Sequence, residues 1–251
     1  LDGITIGSNL TVLGHAGIWG GLTLADGITV DKGNYNWYFN GQDSGQASGT
    51  VHHLASLGSS VVKSSSGSIN IYAVNGQTLQ IDSGVTVQGF VGLGQNWTGS
   101  TIINAGVIDA NVSGQWVSIG PTNFINQGVL KVSGGLLALG GGWSNSGLIS
   151  VTSGTLSLRG TFTRADIVGA GRFSRTGGVV NLETELNLGG GTLDIGAATF
   201  GTGGLSWVNG TLKNGTLISG DGTALNVADN KHGLDGITIG SNLTVLGHAG
   251  I

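Results

Sequence analysis

The chain has 251 residues, of which 51 are glycine and one is proline, and it contains no cysteine or methionine. Nine Lys and Arg residues stand against thirteen Asp and Glu residues, giving a net charge of −4. This balance excludes the focused basic surface that nucleic acids require, and the lack of cysteine excludes a disulfide framework. No apolar run approaches the ~20 residues of a membrane helix, so we expect no membrane insertion.

A long repeat joins the two ends of the chain. Residues 1–18 read LDGITIGSNLTVLGHAGI, and residues 234–251 read the same eighteen letters at an offset of 233. Chance does not produce such an identity. We predict that residues 1–233 form one unit of a tandem array and that 234–251 begin the next unit. A duplicated tag or cloning scar is the alternative, but the segment resembles the rest of the chain.

The repeat predicts a seam at which neighbouring units stack. The predicted seam residues are the apolar positions of the two copies, namely Leu1, Ile4, Ile6, Leu10 and Val12 with Leu234, Ile237, Ile239, Leu243 and Val245. The chain does not begin with methionine, and no signal peptide is recognisable. We therefore expect it to be an excerpt of a longer protein.

A shorter period runs beneath the long one. Apolar–polar–apolar triplets recur every eighteen or nineteen residues, and each predicts a short strand with one buried face. Glycine, Asn, Asp and Ser separate the triplets and suit the turns between strands. The recurring pairs are Ile4/Ile6 with Leu22/Leu24, Leu10/Val12 with Ile28/Val30, Leu130/Val132 with Ile149/Val151, Leu137/Leu139 with Leu156/Leu158, and Leu225/Val227 with Leu243/Val245.

These triplets predict an all-β fold, a right-handed parallel β-helix with roughly 18–22 residues per coil. At ~4.8 Å per coil, a unit of about 11 to 13 coils would rise about 50 to 60 Å. A hairpin-based sandwich is the main rival, since Asn-Gly and Asp-Gly steps favour hairpins. However, Asn209-Gly210 and Asn214-Gly215 lie too close together to flank paired hairpin strands.

One aromatic segment interrupts the aliphatic pattern. Tyr35, Trp37, Tyr38 and Phe39 fall within five residues, and a Gly/Ser/Gln-rich stretch follows them. We interpret residues 34–60 as a loop or coil insertion. Three roles are open for the aromatic side chains: a satellite core of that insertion, a lateral contact that bundles rods, or a surface that binds a carbohydrate or cell-surface ligand.

Three Asn-x-Gly steps mark one corner of successive coils. Asn104, Asn126 and Asn145 begin these steps. We predict that their side-chain amides form a ladder along the rod, each hydrogen-bonded to the next.

The run from 123 to 162 reads NFINQGVLKVSGGLLALGGGWSNSGLISVTSGTLSLRGTF. It resembles the β-helical repeats of large bacterial surface proteins, namely autotransporter passenger domains and filamentous-haemagglutinin-like adhesins. The Asn-x-Gly corner followed by alternating Leu, Ile and Val carries the likeness. The resemblance implies an extracellular or cell-surface location and a role in adhesion, aggregation or a fibre. The 233-residue repetition is similar to that of giant tandem-repeat filament proteins.

Enzymatic chemistry finds little support. Glu183 and Glu185 would share one face of a strand, about 6 to 7 Å apart, a spacing compatible with a carboxylate pair. The alternation around them, with Leu182, Thr184 and Leu186 facing inward, favours a solvated outer face instead. His52 and His53 are adjacent, so on a strand they point to opposite faces and do not share a metal. We predict no catalytic residue, metal or cofactor.

The sequence therefore predicts the building block of an extracellular filament, whose partners are identical units stacked head to tail. Lateral bundling and a carbohydrate or cell-surface ligand are further expected partners. The alternatives are an adhesin stalk and a polysaccharide-acting β-helix enzyme. The enzyme would need a groove of clustered acids and aromatics on adjacent coils.

Overall fold

The structure is a computed structural model that describes residues 1–40, 47–95, 97–228 and 233–247, with the backbone alone at 66–69. The chain is a nearly all-β solenoid of about 10 turns whose coils stack in parallel. The predicted all-β, parallel-coil fold is confirmed, and the hairpin-based rival is wrong.

Three parallel sheets run along the solenoid. The first contains β1 (Ile4–Ile6), β4 (Leu22–Leu24), β7 (Val51–Ser56), β9 (Thr78–Ile81), β11 (Thr101–Asn104), β14 (Asn123–Asn126) and β16 (Gly142–Asn145). The second contains β2 (Leu10–Thr11), β3 (Ala16–Ile18), β5 (Thr29–Asp31), β6 (Trp37–Phe39), β8 (Ser60–Ala73), β10 (Val85–Leu93), β12 (Val107–Ala110), β13 (Trp116–Ile119), β15 (Val129–Leu139), β17 (Leu148–Leu158), β18 (Phe173–Arg175), β19 (Val179–Leu182), β22 (Trp207–Val208), β24 (Leu225–Val227) and β26 (Val245–Gly247). The third contains β20 (Glu185–Asn187), β21 (Thr192–Asp194), β23 (Thr211–Ile218) and β25 (Gly233–Ile239). A 3₁₀ turn (Arg164–Asp166) and one short helix, α1 (Ala197–Phe200), complete the described secondary structure.

The pairing register agrees with the short period at most positions. Ile4 pairs with Leu22, Leu130 with Ile149, and Leu137 with Leu156, as the triplets predict. Two predicted offsets are wrong. Leu10 pairs with Val30 rather than Ile28, and Leu225 pairs with Val245 rather than Leu243. In both cases the actual partner lies two residues beyond the predicted one. A shift of two residues keeps every side chain on its predicted face, so the alternating pattern cannot detect it.

Coil length varies more than the period suggests. Thr101 pairs with Asn123, twenty-two residues on, but Leu22 pairs with Leu54 and Trp37 with Ile71, thirty-two and thirty-four residues on. Most of the surplus residues lie between β6 and β7, and the rest lie within β8, whose pairing with β10 shifts between Gly89 and Val91. The longer coils explain why the chain makes about 10 turns rather than the expected 11 to 13.

Inward-facing aliphatic side chains form continuous rows along the solenoid. One row follows the strand register through five coils and is completely or almost completely buried: Leu93, Ile119, Leu139, Leu158 and Leu182. Burial of each such side chain stabilises the fold by roughly 1.5 to 3 kcal/mol. A coil at either end has a neighbour on one side only, so its apolar side chains stay partly uncovered.

The glycine of each Asn-x-Gly step allows adjacent coils to approach. A Cβ built on Gly128 would lie 2.2 Å from the carbonyl oxygen of Gly106, and one built on Gly147 would lie 2.1 Å from that of Gly128. Neither glycine has a positive φ. The close approach of the neighbouring backbone, rather than the turn geometry, therefore requires glycine at these corners.

Candidate functional site

The first coil leaves an apolar opening at one end of the solenoid. Leu1, Ile4 and Leu10 are exposed, whereas Ile6 is buried beneath the second coil. Together with Val12 these residues line a concavity of about 470 Å³. Trp37 also lines it, and the buried indole Nε1 of Trp37 has no hydrogen-bond partner. This end therefore presents apolar surface, and the unsatisfied Trp37 donor lies buried beneath it.

The last described coil leaves a second apolar surface at the opposite end. Ile239 and Val245 are exposed, while Leu234, Ile237 and Leu243 are half-buried against the core. These five positions repeat Leu1, Ile4, Ile6, Leu10 and Val12 at the offset of 233. Residues 248–251, the end of the predicted second copy, lie outside the described residues. All ten predicted seam residues thus belong to the two terminal coils.

The two copies of the repeated segment pair with neighbouring coils on opposite sides along the solenoid axis. In the first copy Ile4 and Ile6 pair with Leu22 and Leu24, on the coil that follows. In the second copy the equivalent Ile237 and Ile239 pair with Gly215 and Leu217, on the coil that precedes.

The polar side chains of the segment divide in the same way. Asn9 Oδ1 accepts a hydrogen bond from the Thr29 backbone N–H at 2.7 Å, toward the following coil. Ser241 Oγ, the equivalent of Ser8, accepts one from the Ser219 backbone N–H at 2.9 Å, toward the preceding coil. Gly3 and Gly236 adopt matching left-handed φ values of 55° and 60°. One segment thus contains bonding groups for neighbours on both sides.

The predicted asparagine positions form a hydrogen-bonded ladder inside the solenoid. Asn104 Nδ2 donates to Asn126 Oδ1 at 2.8 Å, and Asn126 Nδ2 donates to Asn145 Oδ1 at 2.7 Å. All three side chains are buried. The strand register explains the alignment, because Asn104 pairs with Asn126 and Asn126 with Asn145.

The ladder has two different ends. Asn145 Nδ2 donates to the Asp166 carbonyl oxygen at 3.0 Å, and Asp166 Oδ1 accepts from the Asn145 backbone N–H. At the other end Asn104 stacks on Ile81, which offers no donor, and Asn104 Oδ1 is buried without a partner. The closure by Asp166 was not predicted, because no Asn-x-Gly step marks that position.

The aromatic segment divides between core and surface. Trp37 and Phe39 are 1% and 0% exposed, inside the coil, so assigning them to a lateral or ligand contact is wrong. Both face inward because they alternate with Tyr38 along β6. Tyr38 is half-buried and stacks on Tyr72 with ring centroids 5.2 Å apart. Tyr35 is also half-buried, so the contact hypothesis is now restricted to Tyr35 and Tyr38. Of the predicted insertion 34–60, residues 41–46 lie outside the described part.

Lys32 is a buried cation that the sequence analysis missed. Its side chain is fully buried and its Nζ donates to the Tyr35 carbonyl oxygen at 2.8 Å. Desolvation by burial lowers the pKa of Lys32 from 10.5 to about 7, against an opposing effect of Asp31. The carboxylate-bearing Asp31 and the aromatic Tyr35 nearby gave no signal that the lysine side chain would turn inward.

The lowered pKa of Lys32 predicts a pH-dependent stability. Between pH 7 and 10.5 the unfolded chain binds more protons at this lysine than the folded chain, so the free energy of unfolding rises with pH in that window. Below pH 7 the penalty of a buried charge is complete and constant. Lys32→Met should therefore raise the free energy of unfolding near pH 6 by at least about 1 kcal/mol and flatten the rise. Thermal unfolding from pH 6 to 10.5 measures both effects, and an unchanged slope would contradict them. The half-exposed Lys131→Met is the control.

Arg175 is a second buried cation that the sequence did not reveal. Its guanidinium donates to the carbonyl oxygens of Gly177, Gly178 and Gly204. Burial lowers the pKa of this group. The arginine thus satisfies turn carbonyls on two coils. A basic residue two positions before Gly177-Gly178 was the only signal in the sequence.

The prediction that Glu183 and Glu185 share one face of a strand is wrong. β19 ends at Leu182 and β20 begins at Glu185, so the two glutamates lie on either side of a corner rather than on one strand. Glu183 accepts from Arg159 Nη2 at 2.6 Å, and Glu185 pairs with Lys213 at 3.1 Å. Leu182 and Leu186 are buried as predicted, whereas Thr184 turns aside and donates to the Gly160 carbonyl oxygen.

The adjacent histidines face opposite sides of β7, as predicted. His52 is buried against Gln77, and the Nδ1 atom of the exposed His53 lies 3.0 Å from the Asp82 carboxylate. Within the described ranges, no group of three or more His, Cys, Asp or Glu side chains could hold a metal ion. Nor does any helix in those ranges reach the length and apolar character needed to cross a membrane.

A groove of about 500 Å³ lies on the outer surface between neighbouring coils. Trp116, which is 46% exposed, forms part of its lining. Phe90 packs edge-on against the Trp116 ring, with the two ring centroids 4.3 Å apart. Arg159 and Gln115 also line the groove, and Gln115 Oε1 is buried without a hydrogen-bond partner. This groove combines an aromatic face with polar groups and was not predicted.

No family model matches the chain, and no curated protein or solved structure matches it significantly. Its description therefore rests on its own stacked coils.

Proposed function

We propose that the chain is a repeating structural unit of an extracellular filament built from tandem β-solenoid units. One observation carries the proposal. The same eighteen residues occur at both ends, and their two copies are hydrogen-bonded on opposite sides. A segment with partners on both sides is an internal coil of a longer solenoid, shared by the end of one unit and the start of the next.

Stacking in this way removes the two apolar ends. Leu1 and Ile4 at one end and Ile239 at the other are exposed in a single unit. In the array, the preceding and following coils cover them. Unpaired strand edges are otherwise prone to aggregation, and in repeat proteins each repeat stabilises its neighbours. The filament would owe its mechanical strength to continuous aliphatic rows and interstrand hydrogen bonds.

We also propose that the chain is extracellular and related to autotransporter passengers or haemagglutinin-like adhesins. The Asn-x-Gly corners, the aliphatic alternation and the lack of cysteine support this. The partners that we propose are identical units along the axis, with lateral bundling through outward-facing aromatic side chains such as Trp116 and Trp207. Both are 46% exposed.

Electron microscopy of chains with one, two and three tandem units tests the proposal. With about 10 turns per unit and ~4.8 Å per turn, each added unit should lengthen one continuous rod by about 48 Å. The native protein should show the same axial repeat. Separate particles joined by flexible connections would contradict the shared coil.

An adhesin stalk is the second candidate, and the groove at Trp116 favours it. A tryptophan face beside Arg159 suits the apolar and hydroxyl faces of a carbohydrate. Tandem units would then repeat the groove along the rod and bind a polysaccharide multivalently. The two functions are compatible, because the rod itself is the same in both.

A further inference from the structure

We infer that the C-terminal end of the unit is an acceptor site for residues 1–14 of a second, separate chain. The inference rests on the proposed stacking of units and deepens it, since it requires no covalent link between the units that join. The acceptor surface consists of β23 and β24, on which the chain's own residues 234–247 lie.

The contacts within the chain define how a second copy would fit. Ile237 lies opposite Gly215, Thr238 opposite Thr216, and Val245 opposite Leu225. The corresponding residues of a second copy are Ile4, Thr5 and Val12. Because residues 1–14 and 234–247 are identical, every hydrogen bond and apolar contact of the acceptor surface is available to the second copy in the same register.

Two details make the fit specific. The Ser219 backbone N–H, which now donates to Ser241 Oγ, would donate to Ser8 Oγ of the second copy. A Cβ built on Gly240 would lie 2.7 Å from Thr216 Cγ2 and 3.0 Å from Ile218 Cγ2, whereas one built on Gly7 meets nothing within 4 Å. Gly7 is therefore free of packing constraints within its own chain and becomes constrained once it docks on another.

Preordering offsets part of the entropy that is lost when a second, separate chain docks. Residues 234–247 are bonded to a preceding coil alone, so they lose conformational freedom when they dock. In a second copy, residues 1–14 are already ordered by the following coil, through pairs such as Ile4 with Leu22 and Leu10 with Val30. A segment that is ordered before it binds loses less entropy on binding. The exchange also covers the exposed Leu1, Ile4 and Leu10 of the second copy.

A binding experiment on the full 251-residue chain tests the inference. In the acceptor chain, Leu234→Asp, Ile237→Asp and Leu243→Asp release its own segment. The donor is the unmodified chain, labelled with a fluorophore, and binding is followed by fluorescence anisotropy. We expect the substituted acceptor to bind the donor at least about tenfold more tightly than an unmodified acceptor does, because only the former has a vacant site.

The matched control is the Gly7→Ala donor. It should keep the melting temperature of the unmodified chain yet bind the acceptor about tenfold more weakly, since its Cβ meets Thr216 and Ile218 only in the complex. Nonspecific association of apolar surfaces would give the same affinity for the unmodified donor and for the Gly7→Ala donor. Equal binding by both donors, or no binding to an acceptor with native circular dichroism, would overturn the inference. An acceptor with Ile237→Asp alone serves if the triple substitution unfolds the chain.

The register supplies an independent readout, because the chain contains no cysteine. Thr5→Cys in the donor and Thr216→Cys in the acceptor should form a disulfide, as adjacent parallel strands place their Cα atoms ~4.8 Å apart. A donor with Leu13→Cys should not cross-link to the same acceptor. Failure of these experiments together with continuous tandem rods would refute only the exchange between chains. Failure of the tandem rods would refute the proposed function itself.

Discussion

Asn126→Leu should lower the free energy of unfolding by about 3 kcal/mol, which corresponds to a fall of roughly 6 to 12 °C in melting temperature. Asn126 accepts from Asn104 Nδ2 and donates to Asn145 Oδ1, so the substitution breaks the ladder in both directions. Leucine fills the space but leaves Asn145 Oδ1 buried without this donor. An unsatisfied buried polar group costs about 1 to 3 kcal/mol.

Asn123→Leu is the control for the ladder. Asn123 lies on the same strand, three residues earlier, but its side chain is exposed. The same change of side chain should therefore alter the free energy of unfolding by no more than about 0.5 kcal/mol. Thermal unfolding followed by circular dichroism compares the two variants. A melting temperature of Asn126→Leu equal to that of Asn123→Leu would mean that the amide ladder contributes nothing to stability.

Gly128→Ala should destabilise the chain by about 3 kcal/mol or more, an effect large for the addition of one methyl group. The new Cβ would lie 2.2 Å from the Gly106 carbonyl oxygen and 2.7 Å from the Ala105 carbonyl carbon. Both neighbours are backbone atoms, so no side chain can turn aside. The coils must separate locally, which weakens the hydrogen bond from the Gly128 N–H to the Asn104 carbonyl oxygen, now 2.8 Å long.

Gly14→Ala provides the comparison for this corner. A Cβ on Gly14 meets nothing within 4 Å, and Gly14 has no positive φ. Its substitution should be neutral or slightly stabilising, because alanine reduces the entropy of the unfolded chain. Chemical denaturation of both variants gives the free energies. If Gly128→Ala unfolds at the same denaturant concentration as the unmodified chain, then close approach of the coils does not explain the glycine.

The fold was readable from the sequence because its signals are local and repeat. Alternation around Ile4, Ile6, Leu22 and Leu24 identifies strands with one buried face, and the offset of eighteen identifies the coil. The ladder positions were readable for the same reason, since Asn104, Asn126 and Asn145 occupy one place in successive repeats. The identity of residues 1–18 and 234–251 predicted the seam without any knowledge of the fold.

Other features depended on contacts between residues far apart in the sequence. A period of two determines which face a residue occupies but not its partner, so the pairing of Leu10 with Val30 could not be separated from a pairing with Ile28. The inward position of Trp37, the burial of Lys32 and the closure of the ladder by Asp166 each depend on which coil lies next to which. Connections of variable length decide that, and their length leaves no periodic signal. The sequence alone therefore determined the solenoid, its repeated segment and its ladder positions. The tertiary structure decided the register at the long connections, the burial of these side chains and the opposite bonding of the two identical ends, because all three arise only when coils stack.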